Sequence, residues 1–193
     1  MQGVILCAGE GERLRPLTLS TPKPLLLVRG RPLLDWTIDW LRRSGVRDLF
    51  INLHHLPDAI PSHLGTRTAR GVHVTYSFEK ELLGTAGALR AFRDRLRQPF
   101  VVIYGDVLPT ALDLDALRAY HRAKGGIGTL VLQKTDRPQD SDVVELENDG
   151  RVKALLLKYP EPRYLVDGGE SDEADGLKAA AQLYVLASRD EEE

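Results

Sequence analysis

Short apolar runs alternate with amphipathic stretches from residue 2 to about residue 133, and this alternation constrains the fold more than any other feature of the chain. Val4-Ile5-Leu6-Cys7-Ala8, bounded by Gly3 and Gly9, is continuously apolar and reads as a strand buried on both faces. Leu49–Leu53, Val72–Tyr76, Phe100–Tyr104 and Thr129–Gln133 read as further strands, the clearest being Phe100–Tyr104, which ends abruptly at Gly105-Asp106. Between them, Pro32 opens a helix with Leu34, Ile38 and Leu41 on one face, Arg42 and Arg43 in its last turn, and Gly45 beyond. A short helix is expected over Pro57–Leu64 and another over Leu114–Lys124. Thr85 is expected to cap a helix running to Arg97, with Leu89, Phe92 and Leu96 facing the core.

Strands that alternate with helices form a mostly parallel sheet, because the crossover helices must cover its faces. From about residue 142 the pattern changes: Val143–Leu146 and Val152–Leu156 flank Asn148-Asp149-Gly150, a hairpin signal. Residues 160–178 are rich in proline, glycine and acidic side chains and read as an exposed loop, and Leu183–Leu186 is a last strand candidate. The expected architecture is α/β: a Rossmann-like, mostly parallel sheet flanked by helices on both faces, with a smaller antiparallel hairpin region in the C-terminal third. At 193 residues the chain is expected to form a single domain.

Lys and Arg number 26 against 28 Asp and Glu, for a net charge of -2, which gives no reason to expect a nucleic-acid or membrane-surface protein held by bulk charge. No apolar run approaches the roughly 18 residues that span a bilayer. Met1-Gln2-Gly3 leads straight into a strand-like run without the layout of a signal peptide, and the single Cys7 is compatible with a reducing compartment. A cytoplasmic protein is expected, with neither nucleic acid nor membrane as partner.

Parallel sheets bind ligands beyond the carboxyl ends of their strands, and two features fall at that edge. Gly9-Glu10-Gly11-Glu12-Arg13-Leu14-Arg15-Pro16 follows the first strand; glycines there let backbone N–H groups approach phosphate oxygens closely. A dinucleotide fingerprint is excluded because Leu14 stands where a third glycine is needed, and a Walker loop lacks its Gly-Lys-Ser/Thr. In Thr21-Pro22-Lys23-Pro24 a lysine lies between two residues of fixed φ. With Arg13 ten residues earlier it resembles a polyphosphate cradle, against the alternative of an ordinary loop lysine. Asp106, at the carboxyl end of the fourth strand, is either a helix-cap or turn aspartate or one of the one or two carboxylates that Mg²⁺ takes alongside substrate phosphates and waters. His54-His55 point opposite ways at a strand end and make a poor metal site; Cys7 reads as a small core residue, and Trp36 with Trp40 as a packing or interface pair.

Leu6-Cys7-Ala8-Gly9-Glu10-Gly11-Glu12-Arg13-Leu14-Arg15-Pro16-Leu17-Thr18, followed by Pro22-Lys23-Pro24, resembles the signature of the sugar-1-phosphate nucleotidyltransferases, with Glu12 in place of the usual threonine. Leu83-Gly84-Thr85-Ala86-Gly87 and Val102-Ile103-Tyr104-Gly105-Asp106-Val107 are similar to the family's later nucleotide and metal motifs, in the expected order and spacing. The mannose-1-phosphate guanylyltransferase-like and glucose-1-phosphate thymidylyltransferase-like branches are the most similar. The resemblance implies attack of a sugar 1-phosphate on the α-phosphorus of a nucleoside triphosphate, GTP or dTTP, with Mg²⁺ as cofactor and pyrophosphate as leaving group. It implies that Leu6, Ala8, Gly9, Glu10, Gly11, Arg13, Lys23, Gly84, Thr85 and Gly87 bind the nucleotide, that Arg13 and Lys23 act in catalysis, and that Asp106 binds the metal. Lys158 is implied as a sugar-phosphate contact, residues 1–133 as the nucleotide-binding core, and residues 134–193 as a divergent, shortened sugar-phosphate side. Self-association into a homo-oligomer is left open. Asp142, Leu157, Ala180 and Gln182 stand where the family carries other residues on the sugar side. Those departures support an alternative expectation: a catalytically weak or inactive nucleotide-sugar-binding regulatory relative, or a truncated product.

Overall fold

The computed structural model describes residues 1–65, 71–96, 99–109, 112–134, 142–156 and 179–187. Its elements in chain order are β1 Gln2–Leu6, β2 Leu27–Val28, β3 Arg31–Pro32, α1 Leu33–Arg43, β4 Asp48–Leu53, α2 Ala59–Leu64, β5 His73–Phe78 and α3 Gly84–Ala91, followed by β6 Phe100–Tyr104, α4 Leu114–Lys124, β7 Gly128–Lys134, β8 Val143–Leu146, β9 Val152–Leu156 and β10 Ala179–Ala187. The chain divides into two compact units, one of residues 1–129 with the chain from Tyr184 onward, the other of residues 130–183.

In the first unit, β5, β4, β1 and β6 lie side by side in that order and all run parallel. Val185–Ala187 of β10 pair antiparallel with β6. The register places Val4 between Phe50 and Val102, and the period of two then assigns the faces. Val4, Phe50 and Val102 form one core cluster with Phe92 and Leu96. Gly3 and Ile5 belong to the opposite face, where a side chain on Gly3 would meet Leu49, Val46 and Leu41 of α1. Leu34, Ile38 and Leu41, the apolar face of α1, are fully buried, and each such side chain contributes about 1.5–3 kcal/mol through the water it sheds. The helices therefore cover both faces of a parallel sheet, as the alternation implies. The second unit contains the antiparallel hairpin of β8 and β9, to which Ala179–Ala180 of β10 add beside Val143–Val144.

Several boundaries differ from expectation for local reasons. β1 ends at Leu6 rather than Ala8, because the Cys7 N–H donates to the Asn52 side chain instead of continuing the ladder. The helix expected over Thr85–Arg97 is α3, Gly84–Ala91, and its N-cap is Leu83 rather than Thr85. After Ala91 the chain tightens into turns, with Arg93 N–H donating to Arg90 and Arg95 N–H to Phe92, yet Phe92 and Leu96 still reach the core. The short helix begins at Ala59 rather than Pro57, β5 extends to Phe78 rather than Tyr76, and β10 covers Ala179–Ala187 rather than Leu183–Leu186. Arg97 and the loop 160–178 lie outside the described residues. The β2–β3 hairpin escapes the sequence patterns because its two-residue turn is Arg29-Gly30, both at positive φ (52° and 75°), without the usual Asn or Asp. Among the described residues, no helix is long and apolar enough to cross a membrane.

Candidate functional site

Most of the candidate residues gather at the carboxyl ends of β1, β4, β5 and β6. β6 leaves the sheet through Gly105, whose N–H donates to the Leu6 carbonyl at 2.9 Å. A Cβ at Gly105 would stand 2.6 Å from the Cys7 sulfur and 3.1 Å from a Pro24 ring carbon, so only glycine lets this strand exit pass so near the Pro22–Pro24 segment. That segment begins extended at Pro22 and turns at once into a 3-10 turn over Lys23–Leu25. The result sets the Lys23 ammonium 2.5 Å from an Asp106 carboxylate oxygen. With their side chains 28% and 34% exposed, the two charges form a pair worth about 1 kcal/mol or less to the fold. A contact of that size gives way when a stronger anion arrives.

The glycine loop lies against the same lysine. Gly11 has φ 66°, and a Cβ there would stand 2.9 Å from Thr18 Cγ2 and 3.4 Å from Lys23 Cβ. Its carbonyl accepts from Thr18 Oγ1 at 3.0 Å and from Leu14 N–H at 2.9 Å, folding Glu12–Leu14 into a 3-10 turn. Thr18 is buried, and its carbonyl accepts from His55 Nε2 at 2.6 Å, which requires the proton on that nitrogen. His54 Nδ1 instead donates to the Glu79 carbonyl at 2.9 Å, so the two histidines diverge as their strand position implies and each serves as a backbone tie. Arg15 is held by Glu10 at 3.0 Å and Glu12 at 3.3 Å. Arg13 is exposed and makes no hydrogen bond or ion pair among the described residues. Gly9 is exposed, and Ala8, one residue earlier, is buried.

The start of α3 also meets the end of β6. Thr85 Oγ1 meets the Tyr104 hydroxyl at 3.2 Å, linking the Gly84–Gly87 segment to the end of β6, one strand residue from Gly105. Gly84 has φ 67° and marks the chain's entry to the helix. Two residues that sequence patterns did not single out complete this part of the site: buried Asn52 and buried Glu79. Asn52 accepts from the Cys7 N–H at 2.8 Å and donates to Glu79 Oε1 at 2.8 Å, while Glu79 Oε2 accepts from the Leu83 N–H at 3.1 Å. The sequence gives little sign of them: Glu79 stands just beyond β5 beside Lys80 and Glu81, and a single amide in β4 does not point to a partner 27 residues away.

Not every candidate joins this cluster. Lys158 and Leu157 lie outside the described residues. Asp142 precedes β8, and Ala180 and Gln182 belong to β10. Trp36 and Trp40 spend their indole N–H groups inside the chain, on the carbonyls of Val28 and Leu112, which makes them packing residues.

Burial, and secondarily the Asp106 charge, pushes the Cys7 thiol far up, so it stays a neutral core group. Burial likewise raises Tyr76, to about 12. Among the described residues no three His, Cys, Asp or Glu side chains stand close enough to cage a metal. Asp106 alone suits a different mode: an accessible hard-oxygen donor that shares Mg²⁺ with a ligand's phosphates and waters.

Comparison with known proteins gives a consistent result. A family model described as "Nucleotidyl transferase" matches residues 2–170. A mannose-1-phosphate guanyltransferase of Saccharomyces cerevisiae is 38% identical over 96% of this chain and 50% of its own length. The mannose-1-phosphate guanylyltransferase catalytic subunit beta of Danio rerio is 34% identical over 82% of this chain and 45% of its own. The chain thus spans about half the length of the curated relatives it matches. Among solved structures, a Bacillus anthracis protein assigned as a glucose-1-phosphate thymidylyltransferase, crystallised with sucrose, superposes with a TM-score of 0.78 at 26% identity, over 97% of this chain and 71% of that one.

Proposed function

Because the chain belongs to the nucleotidyl transferase family, we propose that it carries the nucleotide half of a sugar-1-phosphate nucleotidyltransferase reaction at the carboxyl edge of β1 and β6. One observation carries this reading: Gly11, Lys23 and Asp106, separated widely in sequence, meet in one place, with Lys23 against both the glycine loop and the carboxylate. Similarity to mannose-1-phosphate guanylyltransferases supports GTP and mannose 1-phosphate as the first substrate pair to test, with dTTP as the comparison.

In the reaction proposed, a sugar phosphate oxygen attacks the α-phosphorus, the bond from that phosphorus to the bridging oxygen breaks, and pyrophosphate leaves. No covalent enzyme intermediate is needed, so the protein's task is to align two anions and offset their charge. Backbone N–H groups of the Gly9–Gly11 turn supply close, uncharged donors to the triphosphate. Lys23 exchanges Asp106 for the α-phosphate, where its ammonium stabilises the charge that grows on the transferring group. Arg13, without a competing carboxylate among the described residues, is available for a forked contact to the β- and γ-phosphates. Mg²⁺, when bound, would supply charge neutralisation at the phosphates, held to the protein through Asp106. Gly84, Thr85 and Gly87 would face the base or ribose, with Leu6 and Ala8 forming the floor beside them.

The test is pyrophosphate release from GTP and mannose 1-phosphate. Lys23→Ala is expected to lower kcat/KM by roughly 10–100-fold or more, since a charge-assisted contact is worth about 1.5–3 kcal/mol. Unchanged turnover in that variant would remove Lys23 from the mechanism. Nucleotide binding by the wild type with no release across a panel of sugar phosphates would instead assign a binding, regulatory role.

A further inference from the structure

A polar chain of buried Cys7, Asn52 and Glu79 ends on the backbone of exposed Leu83 and joins two parts of the site that are far apart in sequence. The Asn52 amide can be oriented in one way only: its oxygen accepts from the Cys7 N–H and its nitrogen donates to Glu79. Glu79 is 2% exposed, and its other oxygen accepts from the Leu83 N–H. Among the described residues no cation pairs with Glu79, so hydrogen bonds alone offset the cost of burying this carboxylate. Its own backbone is fixed at both ends, the N–H donating to Leu53 and the carbonyl accepting from His54. The expense is unusual for a group that only fills space.

We propose that Asn52 and Glu79 are positioning residues, setting the distance between the phosphate-binding turn after β1 and the base- or ribose-binding segment before α3. One end of the chain is the Cys7 N–H, between Leu6 and Ala8 at the root of the glycine loop. The other is the Leu83 N–H, immediately before Gly84. A nucleoside triphosphate must span both, because its phosphates and its base are covalently joined in one ligand of limited reach. Inorganic tripolyphosphate needs the first end alone. This inference rests on the nucleotide reading above, and it adds a residue pair to which that reading assigned no role.

The relay makes a specific demand on donors and acceptors. In Glu79→Gln one oxygen is replaced by an NH₂ group, so either Asn52 or the Leu83 N–H faces a donor. In Asn52→Asp two carboxylates face each other across a buried gap. In the double variant Asn52→Asp/Glu79→Gln the pattern closes again: the carboxylate at position 52 accepts from the Cys7 N–H and from the amide at position 79, whose oxygen accepts from the Leu83 N–H. Charge count and hydrogen-bond count return to those of the wild type.

The experiment is calorimetric titration of the whole chain with Mg·GTP and, separately, with inorganic tripolyphosphate. Glu79→Gln and Asn52→Asp are each expected to weaken GTP binding roughly 10–100-fold while tripolyphosphate binding stays within about twofold, and the double variant is expected to recover most of the loss. A fold weakened as a whole would lose both ligands together, so parallel loss overturns the positioning role, as do single variants that bind GTP like the wild type or a double variant that recovers nothing. Single variants that do not fold beside a double variant that folds and binds GTP support it; a double variant that also fails to fold overturns it. A wild-type chain that binds tripolyphosphate but no nucleotide of a GTP, dTTP, UTP, CTP and ATP panel overturns the relay's purpose, whereas one that binds neither overturns the nucleotide reading itself.

Discussion

Lys23 stands at 2.5 Å from Asp106, and under the proposed function that contact sets the two charges in competition with the nucleotide and the metal. Removing the carboxylate releases the ammonium. In the absence of divalent metal, Asp106→Asn is therefore expected to bind GTP up to about fivefold tighter than the wild type, the equivalent of an exposed pair worth about 1 kcal/mol or less. With Mg²⁺ added, the same variant is expected to gain little where the wild type gains much; titrations with and without the metal measure both. Cys7 gives a second expectation. Its folded pKa lies above the ordinary value of 9.0, so the folded chain keeps a proton that the unfolded chain gives up. The associated stability is complete below about pH 9 and is lost as pH rises, with a slope approaching about 1.4 kcal/mol per pH unit. Tyr76, raised to about 12, adds a loss of the same sign above pH 10. Denaturant melts at pH 8 and 10 are expected to show this fall in the wild type and a smaller one in Cys7→Ala.

Among the elements, α3 is the one whose two ends serve different purposes. Its beginning carries Gly84 and Thr85 to the site, while Leu89 and, just beyond its end, Phe92 and Leu96 dock it on the sheet. Phe92→Ala is expected to cost about 3–5 kcal/mol in chemical denaturation, because its ring fills the core against Phe50 at 5.2 Å between centroids. At α4 the Asp113 side chain accepts from the Asp115 and Ala116 N–H groups, and Asp113→Ala is expected to cost about 0.5–2 kcal/mol with no effect on nucleotide affinity. The difference between these elements also explains what could be read beforehand. Apolar runs such as Phe100–Tyr104 and the α1 face announce themselves through periodicity, because burial selects residue type at fixed spacing. The Gly11 turn and the Pro22–Pro24 segment were legible for a related reason: glycine and proline restrict the backbone in ways independent of context. Asn52 and Glu79 were not, since a buried hydrogen-bond partnership leaves no local pattern and joins residues 27 apart. The misplaced cap of α3 had the same cause, for Thr85 turns its hydroxyl to Tyr104 of β6 and the Leu83 N–H donates to Glu79, just beyond β5.

For the molecule as a whole, the near balance of 26 basic and 28 acidic side chains means that the proposed anion binding rests on local placement rather than overall field. The unit holding β1, β4, β5 and β6 supplies such placement at one sheet edge. The measurement that tests this most directly is the melting temperature of the whole chain with Mg²⁺ and each of five nucleoside triphosphates, for the wild type and Lys23→Ala. At ligand concentrations 100 times Kd, binding to the folded state adds about 2.7 kcal/mol, a rise of roughly 5–10 °C for a chain of this size. A rise of that order with at least one triphosphate, largely lost in Lys23→Ala, is the expected result; no rise with any of the five, or the same rise in both proteins, would contradict the account.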